Sequence, residues 1–251
     1  MEGYVHSEIK DKVGIVEFFH PASNSLPGVI LDKIAQEILK MDEEEDVKVI
    51  LLKSGGDRAF CAGASFDELI AIDNKETGLA FFTGFAKVIN AIREVSKFVI
   101  VRVQGKVVGG GVGIAAAGDY TFATKHAAIK LSELAVGIGP FVVGPAVERK
   151  MGLSAFTQLT INAKNFQSAE WAYTHGLYAG VYENTEEMDE AINDLLEDLK
   201  GSNPEAMKEL KKVFWQGTEN WSTLLKERAA ISGELVLSEF TRSAINEFKK
   251  K

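Results

Sequence analysis

The stretch "QGKVVGGGVGIAAAGDY", Gln104–Tyr120, sets three consecutive glycines between an apolar run and a segment of small residues. The glycines follow a predicted strand and precede Val112–Ala117, so they mark the N-terminus of a short helix. Backbone N–H groups are unpaired at such a place and the helix dipole adds partial positive charge, a combination that favours a negative group. Residues without side chains let that group come close to the backbone.

Two chemistries use such a turn. A dinucleotide site is suggested by Gly111, Gly113 and Ala116 in the order G-x-G-x-x-A, with Glu133 placed 20 residues after Gly113. Spacing opposes it, because Gly118-Asp119 closes the segment and the strand-like "YTFA" begins at Tyr120, leaving no crossover helix long enough to traverse a sheet. The other chemistry is an oxyanion hole, in which a glycine N–H polarises a carbonyl whose oxygen gains charge during reaction. Such a hole needs a second donor. "AFCAGAS", Ala59–Ser65, supplies another small-residue turn ahead of the acidic helical start Phe66-Asp67-Glu68-Leu69. Either stretch alone reads as close packing of helices and strands; their co-occurrence points to a donor pair.

Working outward, Val13–Phe19 and "VKVILL" (Val47–Leu52) read as strands, and residues 27–41 and 76–95 carry apolar side chains at helical spacing, with Ser25 a candidate cap for the first helix. Strands follow at Phe98–Val103, Tyr120–Ala123 and Ala128–Leu131. From Ser154 the pattern is helical, over residues 154–161, 168–175, 186–200, 204–215 and 221–248, with Asn203-Pro204-Glu205 a clear start signal. The reading is an α/β core over residues 1–200 and a C-terminal helical region over 201–251, with no internal repeat or low-complexity linker between them.

Composition excludes several functions. The 251 residues are 46% hydrophobic and 25% charged, ordinary for a globular protein, and the net charge of −8 argues against a nucleic-acid or anionic-membrane partner. Cys61 is the single cysteine, which rules out an intramolecular disulfide and a CxxC site. With no apolar leader or Arg-rich transit segment in the first residues and no run long enough for a membrane span, a cytoplasmic setting is expected. His6, His20, His126 and His175 form no HxxxH or HExxH pair, and neither a G-x-S-x-G turn nor a P-loop occurs. Cys61 lacks a nucleophile's partner pattern and reads as a small buried hydrophobe, and "DEEED" (Asp42–Asp46) as a solvated loop.

The ordered segments "RAFCAGASFDEL" (Arg58–Leu69), "VRVQGKVVGGGVGIAAAGDYTFA" (Val101–Ala123), "IKLSELAVGIGP" (Ile129–Pro140) and "QSAEWAYTHGLYAGVY" (Gln167–Tyr182) resemble the signatures of the crotonase, or enoyl-CoA hydratase/isomerase, superfamily across most of the chain. The resemblance implies an α/β spiral of ββα turns with a C-terminal helical trimerisation region, assembly as homotrimers or dimers of trimers, and an acyl-CoA thioester substrate with no metal or redox cofactor. By motif position the N–H groups of Ala64 and Gly110 are the oxyanion donors, Arg58 and Ala62 fall on the CoA-binding loop, and Glu133 is the second of two catalytic glutamates. The first has no counterpart: Gly113 stands there. Phe82 and Phe85 fall on the helix that borders the acyl pocket, and Phe141 in an unusually apolar segment that suggests a modified pocket. Asp119 matches a structural position. Pro140-Phe141 leaves no carboxylate for a dehalogenase-type site.

One carboxylate can take a proton from one carbon and return it to another, which describes a double-bond isomerase, whereas adding water ordinarily wants both an acid and a base. The expectation is an enzyme of the enoyl-CoA hydratase/isomerase class with Glu133 as acid/base, undecided between the two reactions. An acyl-CoA thioesterase or decarboxylase on the same fold, or a catalytically silent acyl-CoA-binding protein, remain as alternatives.

Overall fold

The computed structural model describes residues 2–248. Its main sheet has six strands in the order β1 (Tyr4–Lys10), β2 (Val13–Phe19), β4 (Val49–Ser54), β7 (Phe98–Val103), β9 (Tyr120–Thr124) and β11 (Gly180–Tyr182). Only the β1–β2 hairpin is antiparallel, turning through Asp11 and Lys12 at positive φ; the other pairings are parallel. Helices α1 (Gly28–Glu43) and α3 (Lys75–Glu94) serve as crossovers between the central strands, and the short α4 (Gly110–Ala117) also links parallel β7 to β9, against the expectation that this segment leaves no room for a crossover.

Central parallel strands are buried on both faces, so they read as near-continuous apolar runs. In β4 and β7, Ile50, Leu52, Val99 and Val101 enter one cluster with Ile34, Ile38, Ile89, Ile92 and Ile114 of the crossover helices. Val49, Leu51, Phe98 and Ile100 point the other way, onto Met188, Ile192 and Leu196 of α7 (Thr185–Gly201). The period-two alternation of the strand is what places one core on each face.

Two smaller parallel ladders stand beside this sheet and carry the loops of interest. One orders β10 (Ile129–Lys130), β8 (Lys106–Val108) and β5 (Ala59–Cys61); the other pairs β3 (Ser25–Leu26) with β6 (Gly63–Ala64). The short α2 (Phe66–Ile70) follows β6, and a single 3-10 turn, Glu133–Val136, follows β10. Then come α5 (Gly144–Ile161), α6 (Ala169–Thr174) and, after β11 and α7, the helices α8 (Pro204–Phe214), α9 (Trp221–Leu235) and α10 (Glu239–Phe248). No helix among the described residues is long and apolar enough to cross a membrane.

Several expectations are corrected. Ser25 does not cap α1: Pro27 occupies the N-cap without a side-chain bond, Glu68 Oε2 accepts from the N–H of Gly28 at 2.9 Å, and Ser25 lies in β3. The helical pattern over 221–248 is interrupted at 236–238, where Ser238 Oγ accepts from Thr241 N–H. Helix α5 starts at Gly144, ten residues before the pattern became legible, and kinks where Gly152 adopts φ 79°. Ala59–Ser65, expected as a turn, holds the short strands β5 and β6, and β1, β3 and β11 also form where the sequence pattern predicts no strand.

The C-terminal helices lie on the core. Helix α9 packs against α3, and a Cβ at Gly78 would stand 2.9 Å from Gly233 Cα, so the two backbones meet without side chains between them. From α8, Lys211 reaches inward to Asp119 Oδ2 and to Ile92 O (2.8 Å), while Trp215 Nε1 donates to Asp119 Oδ1 (2.9 Å) and Val99 N–H to Oδ2 (2.7 Å). Lys150 Nζ donates to Gly118 O at 2.8 Å, where α4 ends. Removing one member of a buried ion pair leaves the other charge uncompensated, typically at about 3–5 kcal/mol. Lys211→Met is therefore expected to lower unfolding free energy by about that amount in urea titration; a loss under about 1 kcal/mol would show the pair to be peripheral to stability.

Candidate active site

The site is built where β8 ends. Gly109 N–H donates to Lys130 O at 2.8 Å, tying the end of β8 to β10, and the chain then turns at Gly109 with φ 55° and ψ −121°, a conformation that favours glycine. A Cβ there would also stand 3.1 Å from Glu133 Oε1. Gly110 opens α4, so its N–H has no acceptor within the helix.

Close packing explains the rest of the triplet. The ring tip of Phe85 rests on Gly110, whose Cβ would fall 2.3 Å from Phe85 Cζ, and Cys61 rests on Gly111, whose Cβ would fall 2.7 Å from Cys61 Cβ. No side chain fits at either position without moving α3 or β5.

The other small-residue segment forms β6. In the parallel pair of Leu26 with Ala64, Ser65 N–H donates to Leu26 O at 2.9 Å, so Leu26 is the residue that bonds across the ladder and Ala64 N–H points away from β3. Ser25 Oγ, also on β3, donates to Ala64 O at 2.7 Å and fixes that segment further. A Cβ at Gly63 would stand 3.4 Å from Val108 O, which sets β6 beside the end of β8 and hence beside the start of α4. Fully buried Cys61 links the two segments: its Sγ accepts from Gly63 N–H at 3.4 Å while its Cβ supports Gly111. Burial pushes its thiol up to about 12, so it stays protonated.

Glu133 opens the 3-10 turn, and Ile138 N–H donates to its carbonyl at 3.0 Å. The residue is half-buried overall, but Oε2 is shut off from solvent and has no hydrogen-bond partner. Desolvation pushes the carboxyl up to about 7, with its own backbone hydrogen bond opposing the shift weakly. A carboxyl with one desolvated, unpartnered oxygen beside the start of α4 is suited to exchanging a proton near neutrality.

The structure thus brings Gly110, Ala64, Glu133 and Phe85 into one neighbourhood. At Gly113 a Cβ would lie 2.5 Å from Val143 Cγ1 and 3.3 Å from Ile89 Cδ1, so the space beside that backbone is already taken. Phe82 is half-buried and meets Phe81 edge-on at 5.0 Å, whereas the Phe141 ring folds over Gly139 of its own loop. Arg58 is exposed at the start of β5, and Ala62 N–H is occupied by Asn24 O at 3.1 Å. Sequence reasoning missed Ser25 and Val143: the first looked like a helix cap, and the second carried no signal beyond the apolar "PFVVG".

Residues 8–248 match the family model described as Enoyl-CoA hydratase/isomerase. The short-chain-enoyl-CoA hydratase of Clostridium acetobutylicum is 28% identical over 247 residues, covering 97% of this chain and 94% of that protein. A peroxisomal Delta(3,5)-Delta(2,4)-dienoyl-CoA isomerase of Arabidopsis thaliana is 25% identical over 240 residues, 87% of this chain and 84% of its own. The crystal structure of an enoyl-CoA hydratase from Bacillus halodurans superposes with a TM-score of 0.90 at 20% identity, over 97% of this chain and 99% of that one, a likeness of fold.

The raised carboxyl has a sign that stability can test. The folded chain keeps the Glu133 proton up to about pH 7 whereas an unfolded chain releases it near 4.5, so this group's contribution falls as pH rises between those values and stays low above them. Glu133→Gln carries no charge to desolvate. It is expected to be more stable than the parent at pH 8, with the difference shrinking toward pH 5, as read from urea midpoints; parallel curves would mean that Glu133 ionises freely in the fold.

Proposed function

Because the chain belongs to the enoyl-CoA hydratase/isomerase family, we propose that it moves a proton on an acyl-CoA thioester through an enolate, with Glu133 as the single acid–base group and the Ala64 and Gly110 N–H groups holding the thioester oxygen. The observation that carries this reading is the buried, unpartnered Oε2 of Glu133 next to the glycine turn that opens α4.

In a 3-enoyl thioester, the Glu133 carboxylate takes a proton from the carbon next to the carbonyl. The electron pair spreads onto the thioester oxygen, where two preorganised N–H donors meet it; losing one such donor typically costs about 3 kcal/mol. The protonated Glu133 then returns the proton at the far end of the dienolate, and the double bond has moved with no net change in atoms. A carboxyl poised near neutrality suits both halves, since it must accept and then give up the same proton. Phe82, Phe85 and Phe141 are assigned to the acyl wall, and Arg58 and Ala62 to the CoA loop.

Double-bond migration is favoured over hydration because Gly113 offers no second carboxylate and its surroundings are filled by Val143 and Ile89. Hydration is kept as the second reading on the hydratase named among the relatives, and it would require a water held without that carboxylate.

Mass spectrometry of 2-enoyl- and 3-enoyl-CoA substrates in oxygen-18 water separates the two. A shifted double bond without label is expected, and label on the acyl carbon chain would establish hydration instead. The value of kcat/KM should rise with pH through about 7, as the base form of Glu133 accumulates. Glu133→Gln should lose a factor of about 10²–10⁴ together with that rise; a variant with full turnover would remove Glu133 from the chemistry.

A further inference from the structure

From Phe85, whose ring rests on the glycine turn, apolar packing continues along α3. One helical turn earlier on α3, Phe82 packs both on the main core and on a separate cluster formed by Ile72, Ile138, Val236 and Ile245. That cluster lies under α10, which is fastened to the segment following Glu133: Thr241 Oγ1 donates to Gly137 O at 3.1 Å, and Thr241 is fully buried. At its outer edge is a cavity of about 280 Å³ between α2 and α10, walled by Leu69, Ile72, Val236 and Ile245.

Three polar residues line the same cavity: Asp73, Arg242 and Asn246. Asp73 is engaged, since its Oδ1 accepts from Asn74 Nδ2 at 2.8 Å and from Thr77 Oγ1 at 3.2 Å where α3 begins. Arg242 is different. Among the described residues its only hydrogen bond is through its backbone, N–H to Ser238 O at 3.0 Å, and its guanidinium has no ion pair although the chain carries an excess of acid, with net charge −8. A guanidinium with no ion pair among the described residues, with a carboxamide lining the same cavity at the end of an apolar wall, matches a planar anion that can accept two parallel N–H bonds.

We propose that this cavity receives the far end of the acyl chain and that Arg242, assisted by Asn246, reads a carboxylate there, so that the preferred substrates are CoA thioesters of acyl groups ending in a carboxylate. The inference rests on the acyl-CoA reading of the Glu133 site and supplies what that reading lacks, the character of the acyl group. Arg242 lies away from the reacting carbons and sets specificity, not rate.

The test uses saturated probes in matched pairs: glutaryl-, adipyl- and pimelyl-CoA against valeryl-, hexanoyl- and heptanoyl-CoA. Titration calorimetry at low salt should find the carboxylate member tighter by about tenfold or more at one chain length or more, with the ratio shrinking at high salt because Arg242 is exposed. In Arg242→Leu the ratio should collapse to about unity or invert, and Arg242→Lys should restore part of it. A parent ratio of one or below at every length, or a ratio that survives in Arg242→Leu, overturns the proposal. Exchange of the α-protons of valeryl-CoA in deuterated water, run alongside, reads the Glu133 chemistry separately. Exchange without discrimination sinks the carboxylate proposal alone. Discrimination without exchange sinks the proton-transfer reading alone, and failure of every probe to bind sinks both.

Discussion

Everything at the site follows from the contact of two residues with bare backbone, Phe85 on Gly110 and Cys61 on Gly111. These contacts set how deeply α4 sits between α3 and the small β10–β8–β5 ladder, and therefore where its unpaired N–H groups point. Interiors pack at the density of organic crystals, so a helix start wedged in this way has little freedom to drift. Preorganised donors need that rigidity: a donor that must move into place during reaction gives up part of its advantage. The far end of α4 is held as firmly, by Lys150 on the carbonyl of Gly118 and by the Asp119 carboxylate with its three donors.

Against that fixed frame Glu133 is costly. Desolvating a carboxyl that has one oxygen without a partner works against folding above neutral pH, and natural cores rarely tolerate it. The cost is carried here by the surrounding structure: the 3-10 turn closed by Ile138 N–H, the α10 helix hydrogen-bonded through Thr241 to Gly137, and an apolar cluster beneath. Segments from the middle and the end of the chain thus share the task of keeping one oxygen dry.

Much of this was legible in the sequence, for reasons that can be stated residue by residue. The central strands announced themselves because burial on both faces demands unbroken apolar runs, and α8 because Asn203 and Pro204 suit a helix start, where Asn203 Oδ1 accepts from Glu205 N–H at 3.0 Å. The glycine turn was recognisable because it pairs a strand end with a small-residue helix. Other features depended on tertiary partners. Ser25 was read as a cap from its position before a helical pattern, yet a distant Glu68 took that role and freed the hydroxyl for Ala64. Strand β11 is three residues long and owes its existence to pairing with β9, which local propensity cannot reveal. The break between α9 and α10 falls in a stretch whose composition is as helical as its flanks. The filling of the space at Gly113 by Val143 is a tertiary contact with no local signature, since the two residues are far apart along the chain and neither is unusual alone.

That last contact constrains the history of the chain as well as its chemistry. A glutamate introduced at Gly113 would arrive in a place where even its first carbon collides with Val143, so the single step toward a two-carboxylate site is blocked by volume before charge is considered. A smaller residue at Val143 would have to come first, and by itself it would leave a void that costs stability. The order of substitutions matters, and the reverse path is uphill at its first step. Packing at one methyl group therefore makes substitutions at Gly113 and Val143 interdependent, although the two residues lie far apart along the chain.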